Sequence, residues 1–103
     1  MRIIKKLSDE IKGNIHEAES KIKTAYKMRE TDKAVADWYK EMAVAHMNFN
    51  VKGHELVKQM IADAKAKSGD NPMAPGMLMV YQEIHAEIAA ESAEVQGMIS
   101  AYK

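Results

Sequence analysis

Glu91, His46 and His54 are the residues whose type and spacing could do chemistry in this chain. Glu91 stands at the centre of an apolar stripe, between Ile88 and Val95, where a carboxylate is costly unless it is paired, protonated or bound to a metal. His46 holds a similar place between Met42 and Phe49, and Asn50 and His54 follow it at i+4 and i+8. Each of those steps drifts about 40° round a helix, giving a slowly turning polar ladder. Glu19 flanks a stripe beside Ile15 and Ile22, and His85 flanks another with Ser92 two turns on. Imidazoles and carboxylates projecting into a helical bundle make metal sites, and that donor set suits Fe, Mn or Zn. The candidate ligands are therefore His46, His54, Glu91, Glu19 and His85. The competing reading is structural: buried polar groups hydrogen-bond across seams and fix the register of an assembly.

Helices must position these residues, because the apolar residues recur at steps of three and four and nowhere alternate as in a strand. The first helix is predicted over about 4–28, with its stripe at Ile4, Leu7, Ile11, Ile15, Ala18, Ile22 and Ala25. The second, over about 33–67, carries Val35, Trp38, Met42, Phe49, Leu56 and Met60, with Ala45 or His46 and Gly53 filling the gaps. Asn48, Asn50 and Gly53 are poor helix formers, but the phase runs through them and favours one continuous helix. The third, over about 75–102, has Met77, Tyr81, Ile84, Ile88, Glu91, Val95, Met98 and Tyr102. Thr31 or Asp32 can cap the second helix. Ser68, Gly69, Asp70, Asn71, Pro72, Pro75 and Gly76 form the one clear loop signal. The expected fold is all-α: a single domain, residues 1–103, built as a three-helix up-down-up bundle.

Two apolar groups exceed what a lone bundle needs. Met77, Leu78 and Met79 open the third helix with Val80 and Tyr81, apolar on every side, so that turn is expected to be covered all round. Val44, Met47 and Val51 lie roughly opposite the main stripe of the second helix. Such surface marks an interface, and Met suits an adaptable one. A homo-oligomer, a dimer or larger, is expected through Met47, Val51, Met77, Leu78 and Met79.

Counting outward from the loops puts Glu91 near the level of Asn50 to His54, Glu19 near Tyr39 and Met42, and His85 near Lys58. The segments Ile15-His16-Glu17-Ala18-Glu19, Trp38-Tyr39 with His54 downstream, and Met79 to His85 with Ala93-Glu94-Val95 resemble short rubrerythrin-like proteins of the ferritin-like group, found in bacterial and bacteriophage genomes. The resemblance implies a ferritin-like half-bundle, with Glu19 as first-helix carboxylate and His54 and His85 as the imidazoles of the second and third helices. Ferritin-like di-iron proteins also carry a Glu-x-x-His pair. This sequence has none; the nearest is Gln82-x-x-His85. The reading is therefore a metal-binding bundle short of a redox di-iron enzyme. The alternative is a non-enzymatic oligomeric structural or interaction module, of phage or prophage virion or assembly type if the resemblance carries that far.

Composition narrows the rest. Fifteen Lys+Arg balance fifteen Asp+Glu in 103 residues, which argues against nucleic acid as partner, since that affinity comes from excess cations. The basic cluster from Lys21 to Lys33 reads as a solvated face complementing a helix C-terminus. The absence of Cys removes disulfides, thiolate metal sites and cysteine nucleophiles. The five glycines are too scattered to cradle phosphate, and no serine has a nucleophile-elbow setting. No apolar run approaches the ~18 residues of a membrane span, and the opening segment is too short for a signal peptide. The expected compartment is the cytoplasm, or a virion for a phage protein.

Overall fold

The computed structural model describes residues 2–67, 69 and 74–103. Three helices account for nearly all of them: α1 (Arg2–Met28), α2 (Lys33–Ala66) and α3 (Ala74–Ala101), with no strand among the described residues. The expected boundaries hold to within two residues. Residues 68 and 70–73, and with them most of the predicted loop, lie outside the described residues.

Asp32 starts α2: its backbone is extended, and its carboxylate accepts from the Val35 amide at 3.2 Å. That bond satisfies one of the amides that a helix start leaves without a partner. Pro75 sits in the first turn of α3, where its missing N–H costs nothing. The helix α2 runs unbroken through Asn48, Asn50 and Gly53, as its apolar phase requires.

Each helix contacts both others, and the molecule measures 60 × 17 × 15 Å. The α1 stripe packs as its spacing predicts: Ile4, Ile11, Ile15, Ala18, Ile22 and Ala25 are buried and Leu7 packs against them. Ile88, Val95 and Ile99 of α3 are buried, as is Tyr102 just beyond its end.

The predicted face of α2 is wrong by one residue. Ala36, Ala43, Asn50 and Val57 are buried, at seven-residue spacing, whereas Trp38 and Phe49 are 54% and 74% exposed. The reason is close approach. A Cβ on Gly53 would stand 3.0 Å from the Ile11 side chain, so α2 lies against α1 with its backbone near. Ala36 and Ala43 take the inner line with Asn50 and Val57, while the larger Trp38 and Phe49 turn outward. The opening turn of α3 leaves Met79 exposed within one chain.

Aromatic residues clasp one end of the molecule. The Tyr26 hydroxyl donates to the Met98 carbonyl at 2.8 Å, and its ring meets that of Tyr102 edge-on at 5.4 Å. Tyr102 donates to Asp37 Oδ1 at 3.1 Å, and the Lys33 ammonium lies 4.8 Å from the Tyr102 ring centroid. One tyrosine pair thus ties α1, α2 and α3 together.

Candidate functional site: a polar seam and an open groove

Asn50 is the centre of the polar seam between α1 and α2. It is 2% exposed, and it sits there because it belongs to the inner line of α2. Its amide nitrogen donates to the Ile11 carbonyl at 3.0 Å, and its oxygen accepts from Asn14 Nδ2 at 3.1 Å. The Asn14 oxygen in turn faces His46 Nδ1 at 3.2 Å. An amide oxygen can only accept, so Nδ1 of His46 carries the proton. Every partner in this chain of bonds is a protein group, and the seam holds α1 and α2 in one register.

His54 leaves the ladder on the other side. Its Nε2 lies 3.1 Å from Ser92 Oγ of α3. Burial, then the neighbouring His85 and Lys58, hold its imidazole below the usual histidine range. His85 and Lys58 thus both lie near enough to His54 to act on its charge. Beside His54 an open groove of about 380 Å³ runs between α2 and α3, with Met47, Val51, Ala89 and Ala93 as its apolar walls. Asn48, Ser92 and Gln96 add polar groups to that lining.

Glu91 faces elsewhere. Its Oε2 is buried and has no hydrogen-bond partner among the described residues. Its charge acts on Lys12, which forms a 2.6 Å ion pair with Glu87 and is held above its usual range chiefly by that bond, with smaller contributions from Glu91 and Asp9. Glu19, half-buried, lies 3.7 Å from Lys23 on its own helix.

Of the five residues proposed as ligands, His54 and His85 are neighbours, whereas His46 pairs with Asn14, Glu91 acts on Lys12 and Glu19 pairs with Lys23. Among the described residues no group of three or more His, Cys, Asp or Glu stands where one metal ion would be held.

Sequence reasoning named Asn50 but underrated it. The signal was present: Asn50 is seven residues from Ala43 and Val57, on the small-residue line rather than the large one. Asn14 and Ser92 carried no comparable mark. Of the residues expected at an interface, Val51 and Met79 are exposed, while Met47, Met77 and Leu78 are half-buried. No helix of the described residues is long and apolar enough to cross a membrane. Comparison with protein-family models, curated proteins and solved structures finds no match to this chain.

Proposed function

We propose that the chain is a helical interaction module, a single up-down-up bundle that works by associating with further copies of itself. The bundle reading is supported by cross-helix pairs: Ile11 with Gly53 and Asn14 with His46 run in opposite directions between α1 and α2, and Lys12 with Glu87 and Tyr26 with Met98 run in the same direction between α1 and α3. One observation carries the functional reading: polar Asn50 is inside and bonded, while Trp38 and Phe49 are outside. A monomer has no use for two aromatic side chains more than half in water, whereas an assembly covers them. The buried amides and imidazoles then serve to set register, and no group in the seam is asked to react.

Sedimentation velocity over a wide concentration range tests this. The expected result is a mass of two chains or more that falls towards one chain on dilution. A one-chain mass at every concentration overturns the reading. Elemental analysis of the same sample decides against the ferritin-like alternative or for it: stoichiometric Fe, Mn or Zn would put metal binding in place of assembly.

A further inference from the structure

Two apolar surfaces compete for a partner. The groove between α2 and α3 is walled by Met47, Val51, Ala89 and Ala93 and edged by His54, Ser92 and Gln96, and it holds no aromatic side chain. The outer face of α2 is different. Trp38, Met42, Ala45, Phe49 and Leu56 follow one another at steps of 4, 3, 4 and 7, and Lys52 occupies the vacant place at 49 + 3. Met42, Phe49 and Leu56 each stand one residue, about 100° of rotation, before Ala43, Asn50 and Val57 of the inner line. The helix therefore bears two heptad lines: the inner one is buried, and the outer one leaves Trp38 and Phe49 exposed with Met42 and Leu56 half-buried.

The outer line is complementary to its own reverse. Set a second α2 antiparallel across it, with the two-fold axis level with residue 47. Trp38 then stands opposite Leu56 of the second copy, and Ala45 opposite Phe49, a small residue facing a ring. Met42 meets the stem of Lys52, whose ammonium reaches Glu41 on the next position of the second copy. Within one chain Lys52 is committed only to a 3.9 Å contact with Glu55, both largely exposed. Neither a parallel pairing nor a shift by one heptad keeps a small residue against Phe49 on both sides of the axis. Trp38 and Phe49 leave roughly 250 Å² of aromatic surface per chain, about 500 Å² over two copies. The half-buried Met42 and Leu56 and the stem of the exposed Lys52 add to it, towards the ~1,000 Å² a specific interface needs.

We propose that a second copy of this chain covers the Trp38–Leu56 face of α2, antiparallel about a two-fold axis. This rests on the self-association reading and names its surface and geometry. Trp38→Glu and Phe49→Glu lie outside the core, so the variants keep their helical circular dichroism and thermal transition. Their dimer dissociation constants, by sedimentation, are expected to rise at least about 100-fold, as for central aromatic anchors, while Val51→Glu and Met79→Glu leave the constant unchanged. For direction, single cysteines are placed at Glu41 and Lys52, the parent chain having none. Mixed and oxidised, Glu41→Cys and Lys52→Cys cross-link to each other. Alone, Glu41→Cys does not, because antiparallel packing holds its two copies ~18 Å apart along the axis.

A wild-type dimer that survives Trp38→Glu and Phe49→Glu but fails with Val51→Glu overturns this face in favour of the groove, leaving self-association intact. A dimer in which Glu41→Cys cross-links to itself overturns the antiparallel geometry. A wild-type monomer at all concentrations removes the proposal and the function together.

Discussion

Protonating His54 in the folded protein places a cation in a half-buried position between Lys58 and His85, and this makes the residue a source of pH dependence. The unfolded imidazole titrates near 6.5, above the folded one. Above that pH both states are neutral and the folded state has its full stability. As pH falls from about 6.5 towards the folded value, the unfolded state takes up the proton first and stability is lost. His54→Gln keeps a hydrogen-bonding group beside Ser92 and removes the titration. Urea midpoints at pH 7.5 and 5.5 should therefore differ less for the variant than for the parent; an equal difference would mean that His54 is not the group responsible. Glu91 supplies a second prediction. Its Oε2 is buried without a hydrogen bond, so the carboxylate costs more than it returns through Lys12. Glu91→Leu should stabilise the fold by about 1 kcal/mol, a rise of several degrees in Tm by calorimetry for a domain of this size. A fall in Tm would assign Glu91 a partner it lacks in this structure.

The glycines of the helices separate propensity from packing at the scale of the element. Gly13 on α1 and Gly97 on α3 are exposed, and a Cβ there would meet nothing within 4 Å. Gly13→Ala and Gly97→Ala should each stabilise by about 0.8 kcal/mol, the ordinary helix-propensity gain. Gly53 on α2 has Ile11 Cδ1 and Cγ1 at 3.0 Å, and Ile11 is itself buried. For Gly53→Ala the same gain is outweighed by an overpacking cost of roughly 1–3 kcal/mol, so thermal melts should rank it below the parent and the other two above. The same close approach explains how much of the fold could be read beforehand. The elements and their ends were legible, because caps, loop residues and three-four spacing are local signals. The α1 face was legible because its large residues are its buried ones. The α2 face was not, since there the buried line is Ala36, Ala43, Asn50 and Val57, and side-chain size points to Trp38 and Phe49 instead. The same misphasing kept the candidate site half-visible: His46, Asn50 and His54 were recognised as a ladder, and Glu91 was placed near the right level. Their divergence towards Asn14, Ser92 and Lys12 depends on where α1 and α3 lie about α2, which no single helix encodes.

At the scale of the molecule, a shape 60 Å long and at most 17 Å across has a core one side chain deep, so its ends need their own fastening. The Tyr26–Tyr102 clasp provides it where α1 and α3 finish and α2 begins. Tyr102 there packs on Tyr26, takes the Lys33 ammonium over its ring and donates to Asp37. Asp37 is held below the usual carboxylate range mainly by its bond from Lys33, with Tyr102 adding to it. Tyr102→Phe removes the hydroxyl's bond to Asp37 and its long bond from Lys33 and keeps the ring contacts, for a loss of about 1 kcal/mol. Tyr102→Ala removes the ring as well, for a loss of about 3–4 kcal/mol. The two variants should also differ in where they loosen the protein. Because the core is thin, each turn depends on its neighbours, and Tyr102→Ala should speed amide hydrogen exchange in the first turns of α2 and the last turns of α1 and α3. The amides around Asn50, held by their own hydrogen-bonded seam some twenty ångströms along α2, should slow or stay as they were relative to global unfolding. Uniform acceleration along all three helices would instead show that the bundle opens as one unit, with the clasp merely a part of its core.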